Sequence, residues 1–212
     1  MTDAADRVRR RWPLGDGVAL RERVIAAYEQ PWRRYHDVRH LDEVLARITE
    51  IGSEATDLGV DQPVVTLAAY FHDVVYATGS ATHVSNEEAS ARCAEAWLSS
   101  AGLSRATVSE VARLVRGTAD HDSDPTDVSA AVLYDADLAI LATAPERYAE
   151  YAADVRREYA AVPDPDFAAG RARVLASLLE RPNVFATAYG QDRWEHAARA
   201  NLRAELSVLR HS

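Results

Sequence analysis

The chain contains no lysine: all 24 basic residues are arginine, set against 33 Asp and Glu. This absence excludes a Walker lysine, a Schiff-base lysine and a pyridoxal-phosphate lysine. A cationic side chain that holds phosphate here must be an arginine, which suits bidentate contact. Cys93 is the single cysteine, so an internal disulfide and a cysteine-rich zinc site are both excluded. Its simplest role is a small core residue of a helix. The net charge of −9 provides no positive footprint for broad nucleic-acid binding, although a local arginine pocket for a small phosphorylated ligand remains open. No apolar run approaches the roughly 18 residues of a membrane span. Met1 to Arg11 is charged and is not followed by the apolar core of a signal peptide. A cytoplasmic location with no membrane partner is the resulting expectation.

Hydrophobic residues make up 48% of the 212 residues and are spread along the chain, enough for a sizeable core. Glycine and proline are few and fall between periodic segments. The first helix is expected over Gly15 to Tyr28. The second, Asp37 to Ile51, carries Leu41, Val44, Leu45 and Ile48 at helical spacing. Pro63 at a helix start leads into Val64–Tyr76. Ser85 and Glu88 form a capping box for a helix to about Ser100. Ser104 opens one to about Thr118, and Asp127 opens one to about Ala142. Thr143 and Glu146 form a second capping box, for a helix to about Ala161. Asp164-Pro165 starts a helix that ends near Arg181-Pro182, and Gln191 to Leu209 is the last. No hairpin signal, alternating run or internal repeat is visible. The fold class expected is all-α. An N-terminal helical segment, 1–29, precedes a main helical region, 30–212, within a single domain.

The dipeptide His-Asp occurs at His36-Asp37, His72-Asp73 and His121-Asp122. The copy at His72 ends an apolar run, Val64 to Phe71, where an unpaired carboxylate costs several kcal/mol to bury. A metal cation offsets that cost because it takes imidazole nitrogen and carboxylate oxygen together. His36 and His40 are four apart, so a helix continuing through them would place both on one side; the plainer reading makes Tyr35-His36-Asp37 a solvated helix start. Asp135 and Asp137 sit in an otherwise apolar helix about 200° apart around its axis, so they cannot easily bind one ion together. Periodicity does not choose between them. His83 and His121 fall in polar loops, and His196 and His211 on a polar helix.

Taken in order, His36-x3-His40, apolar-His72-Asp73 and Ala136-Asp137-Leu138 resemble the HD-domain superfamily of metal-dependent phosphohydrolases. Within it the chain is most similar to an uncharacterised group of predicted phosphohydrolases. The segments that suggest this group are Asn86-Glu87-Glu88-x-Ser90-Ala91, Asp135 to Leu141, Arg156-x-Glu158-Tyr159 and Gly170-Arg171. The resemblance runs from about Gln30 to Leu209. It implies an HD-type helical bundle with a metal site in its core, in which His40, His72, Asp73 and Asp137 are the ligands. His36 matches a position that in some members donates a proton to the leaving oxygen. Glu87 matches a carboxylate near the nucleophilic water, and ordinary helix-start chemistry explains it equally well. His121 is a further ligand, a phosphate contact or a loop residue.

The expected activity is hydrolysis of a phosphate ester of a nucleotide or similar small metabolite by metal-activated water. Arginines are expected to hold the remaining phosphate oxygens: Arg39 is next to a proposed ligand, and Arg116, Arg156 and Arg171 lie in helices that could close over the site. The cofactor is a divalent ion, Mn, Fe, Co, Ni, Zn or Mg. Two alternatives stand beside this reading. One is an HD-type di-iron oxygenase that adds His83 and His121 as ligands. The other is a non-catalytic helical domain that binds metal or ligand. A homodimer is also open, since symmetric dimers are the commonest oligomers, with Trp12, Trp32, Trp97 and Trp194 in either core or interface.

Overall fold

Apolar residues at helical spacing bury one face of each segment, and in the computed structural model these faces meet in one hydrophobic core. The structure describes residues 2–54, 59–78 and 84–210. Among them every regular element is helical: α1 (Thr2–Arg10), α2 (Val18–Tyr28), α3 (Val38–Glu54), α4 (Gln62–Phe71), α5 (Asn86–Ser100), α6 (Arg105–Gly117), α7 (Val128–Leu138), a 3-10 turn (Ala139–Ala142), α8 (Pro145–Glu158), α9 (Asp164–Glu180), α10 (Ala188–Arg193) and α11 (Glu195–Leu209). The all-α expectation holds. No single helix among the described residues is long and apolar enough to cross a membrane.

The centre is a packed trio, α3, α4 and α7. α5 and α6 pair along one side and reach α4; α11 packs on α9 and on the 3-10 turn. α1 lies on α3, with Val8 fully buried. Arg7 (2.7 Å) and Arg11 (2.5 Å) both pair with the buried Asp42 of α3. The 1–29 segment thus shares the core of the main region through Val8, Val24, Ile25 and Tyr28. The Trp residues divide: Trp194 is buried in the core, whereas Trp32 is 57% exposed. Cys93 is half-buried on α5, packed against the core.

Caps explain several helix starts. Ser85 accepts from the Glu88 amide (3.2 Å), Ser104 from Thr107 (3.1 Å) and Asp127 from Ala130 (3.0 Å). Four expected boundaries are corrected. α2 begins at Val18, after Gly17, and not at Gly15. α4 stops at Phe71 because side chains from elsewhere take the backbone groups that a longer helix would pair: Tyr28 accepts from the Asp73 amide (3.2 Å), Ser90 from Val75 (3.1 Å), and Arg33 donates to the Asp73 and Val74 carbonyls. The Thr143 hydroxyl caps nothing; it donates to the Ile140 carbonyl at 2.8 Å and closes the 3-10 turn, leaving Ala144 at the start of α8. The last helix is broken at Trp194, whose ring wedges against Phe185 and Tyr189.

Candidate metal centre

His40 stands in the first turn of α3, and His72-Asp73 form the turn that leaves α4. All three are buried, and one ligand atom from each lies within 4.8 Å of the others. This group could hold a metal ion. The two imidazole Nε2 atoms are 3.0 Å apart. Asp73 Oδ2 is 3.1 Å from His72 Nε2 and 3.6 Å from His40 Nε2. Asp137, from α7, brings Oδ1 to 3.1 Å from His40 Nε2 and 3.6 Å from His72 Nε2. His40, His72 and Asp73 thus form one group, and Asp137 adds a carboxylate oxygen within 3.6 Å of both imidazoles.

The donor chemistry fits a cation. His72 Nδ1 donates to the Ala69 carbonyl at 2.7 Å, which orients the ring and turns Nε2 inward. Burial lowers the His72 pKa, but the carboxylates of Asp73 and Asp137 outweigh it and raise it to about 9. Burial pushes both carboxyls up, and His72 above all pulls them back, to net values below the ordinary carboxylate range. The same negative field that favours a proton on His72 favours a metal cation at that point.

The two aspartates of α7 are given separate work. Asp135, 1% exposed, accepts from the Ala186 amide (2.7 Å), the Thr187 amide (2.8 Å) and the Thr187 hydroxyl (2.6 Å), and so anchors the start of α10. Burial pushes its carboxyl up, and these hydrogen bonds hold the rise to about 6. Gly190 allows this contact: a Cβ there would lie 2.6 Å from Asp135 Oδ2 and 2.7 Å from Phe185 Cβ. Asp137 alone of the pair reaches the imidazoles.

The remaining sequence candidates surround this point unevenly. His36 and Glu87 both line the cleft of about 430 Å³ that opens beside Asp137. His121 lines it too, with Nε2 2.7 Å from Asp137 Oδ2. Among the described residues it is the one non-glycine with left-handed backbone, φ +47°. Arg181 steadies that turn by donating to the carbonyls of Asp120 and His121. Arg39 is placed elsewhere, 2.7 Å from Asp154 on a separate groove with Arg7 and Arg157. Arg116 is tied to Glu88 and Glu95, and Arg156 to Asp164. Arg171 lines the cleft but is held by Glu205 (2.8 and 3.0 Å). His196 is exposed, and His83 and His211 lie outside the described residues.

Two further residues brace this region, and neither is named as a site residue from the sequence. Glu158, whose side chain is 1% exposed, accepts from His36 Nδ1 at 2.5 Å and from the amides of Arg34 (2.9 Å) and His36 (3.2 Å). The buried Arg33 donates to the carbonyls of His36 (2.8 Å), Asp73 (2.8 Å) and Val74 (3.1 Å). Glu158 stands in a segment that carries the resemblance, yet its partner is 122 residues away. Arg33 is one arginine among 24.

Compared with known proteins, the chain matches no family model, no curated protein and no solved structure. What is shown is a helical protein with a buried His40–His72–Asp73 group able to hold a metal ion.

Proposed function

We propose that the protein is an HD-type metal-dependent phosphohydrolase that cleaves a phosphate ester of a nucleotide or similar small metabolite. The observation that carries the reading is the buried His40–His72–Asp73 group, with Asp137 Oδ1 within 3.6 Å of both imidazoles and lining the neighbouring cleft. These residues would hold a divalent ion, whose chemistry there would be to lower the pKa of a water and to polarise a phosphoryl oxygen. His72 contributes a ring fixed through Nδ1, and Arg33 fixes the turn that carries it. Glu158 occupies His36 Nδ1, which leaves Nε2 to exchange a proton with the leaving oxygen in the cleft. Glu87, on the same cleft, is the second group able to take a proton. With Arg39, Arg116 and Arg156 paired elsewhere, the substrate's phosphate depends on the metal end of the cleft rather than on an arginine cluster.

The test is phosphate release from a broad panel of phosphoesters by protein loaded in turn with Mn, Fe, Co, Ni, Zn and Mg. Turnover of at least one ester, lost in Asp137→Ala while the helical circular dichroism is kept, is the expected result. A metal-loaded protein that releases no phosphate from any member of the panel sinks the reading.

The position of His121 favours one second reading. Asp137 lies between the His40–His72 pair and the His121 imidazole, an arrangement that would also suit a carboxylate shared by two irons in an oxygenase. Metal analysis separates the two: two irons per chain favours the oxygenase, and a single redox-inert ion favours the hydrolase.

A further inference from the structure

The cleft beside Asp137 does not end at His36. It continues past His36 and Tyr76 into a chamber of about 410 Å³, and Tyr151, Arg171 and Val174 line both spaces. The chamber's walls are aromatic. Tyr76 stacks on His36 with ring centroids 3.9 Å apart and planes at 20°. Its hydroxyl meets that of Tyr159 at 3.2 Å, and Tyr159 in turn packs against Phe167 at 6.1 Å. We infer that this chamber binds a flat, uncharged aromatic ring carried by the same substrate whose phosphate lies at the metal centre. The inference deepens the phosphohydrolase reading and rests on it for the placement of the phosphate.

Three observations define the occupant. Aromatic side chains that present faces and edges to a slot stack with planar rings, whatever the ring's hydrogen-bonding pattern. The cations nearby are already engaged: Arg171 by Glu205 and by the Tyr151 hydroxyl (3.0 Å), Arg156 by Asp164 (2.6 Å) and by the carbonyls of Tyr159 (2.7 Å) and Val162 (3.0 Å). An anionic group would find neither of these arginines free, so the group seated here is uncharged. Gly170 lines the chamber from the interior of α9. Glycine is a poor residue for a helix interior, and its backbone here is not in the left-handed region that would require it. A Cβ at Gly170 would meet no atom within 4 Å. The glycine therefore serves no packing contact, and its effect is to leave the chamber open.

The experiment is calorimetric titration of the full-length, metal-loaded protein with adenosine, guanosine, cytidine, uridine and phenol, with ribose as the ring-free control. The nucleosides and phenol distinguish a nucleobase from a simpler aryl group, and either outcome supports a ring site. Ring-bearing compounds are expected to bind saturably and ribose not to bind. Gly170→Phe fills the space and is expected to weaken ring binding at least about tenfold, the scale of one lost stacking contact, with metal content and circular dichroism unchanged. Phe167→Ala, which removes a wall and adds no bulk, is expected to weaken it in the same direction. The ratio of phenyl phosphate to glycerol phosphate turnover should fall with ring binding. Absence of ring binding to the wild type, or variants that bind the ring as tightly as the wild type, overturns the inference. Gly170-sensitive nucleoside binding without phosphate release from any ester would instead overturn the phosphohydrolase reading and leave the ring site standing.

Discussion

Replacement of Arg33 by alanine should loosen the metal centre without touching a ligand. The guanidinium is 4% exposed and makes three hydrogen bonds to main-chain carbonyls, those of His36, Asp73 and Val74, plus one to Gln30 Oε1 at 3.2 Å. It also lies 5.1 Å from the Tyr28 ring centroid. Hydrogen bonds from a charged donor are worth about 1.5–3 kcal/mol each, and a buried acceptor left bare costs about 1–3 kcal/mol. Simple addition overshoots, because the variant no longer buries a charge and water enters the space to satisfy some carbonyls. A net loss of about 2–4 kcal/mol follows, the cost of one or two carbonyls left bare, and a large share of a total of about 5–15 kcal/mol. Arg33→Lys keeps the charge but presents one compact ammonium in place of a planar fork. It cannot reach all three carbonyls, so a loss of about half that size is expected. Denaturant unfolding with an unchanged slope measures the loss. Chelator competition measures metal affinity, expected to weaken about 10- to 100-fold as for other residues that hold ligands from behind. An alanine variant within about 1 kcal/mol of wild type, with unchanged metal affinity, would refute the reasoning.

The two aspartates of α7 should separate cleanly. Asp135→Ala is expected to lower stability by about 2–4 kcal/mol, since it strips the partners from two amides and a hydroxyl, and to retain metal. Asp137→Ala is expected to retain the fold and lose metal; the reverse pattern, read by unfolding and metal analysis, would exchange their roles. Gly117→Ala would place a Cβ 1.6 Å from the Tyr134 hydroxyl oxygen, and a loss of about 1–3 kcal/mol from overpacking should appear as a lower Tm; no change would mean that Tyr134 moves aside freely. Burial pushes the Glu158 carboxyl up, and hydrogen bonds from His36 and Arg34 outweigh it, so its pKa in the fold lies below the ordinary 4.5. Its contribution to stability is then full above that ordinary value and is lost as pH falls through the folded pKa. Glu158→Gln should flatten this acid limb of the Tm–pH curve, and parallel curves for variant and wild type would count against the pairing.

Helix type and most helix starts were legible in the sequence because they are local: the periodicity of Leu41 to Ile48, and caps such as Ser85 and Ser104, act within a few residues. Helix ends were less so. The stop of α4 at Phe71 depends on Arg33, Tyr28 and Ser90, none of them within ten residues of it. α1 is rich in charge, and what holds it is the burial of Val8 and the pairing of Arg7 and Arg11 with Asp42, contacts that no local pattern announces.

The three His-Asp dipeptides show where the same limit falls on the site. Each copy sits at a helix boundary, and the fold uses each differently. Asp37 accepts from the amides of Arg39 (2.8 Å) and His40 (3.3 Å) and so starts α3, while His36 turns to Glu158. His72 and Asp73, in the turn that ends α4, both face the central point. His121 is swung by its left-handed backbone onto Asp137. Burial chemistry was enough to single out His72-Asp73, since an apolar run that ends in a carboxylate needs a partner whatever the fold. It was not enough to choose Asp137 over Asp135. Both are costly to bury, and what separates them is which neighbour each meets: the backbone before α10 in one case, two imidazoles in the other. The sequence thus states that a buried charge must be compensated, and only the packing of α3, α4 and α7 decides by what.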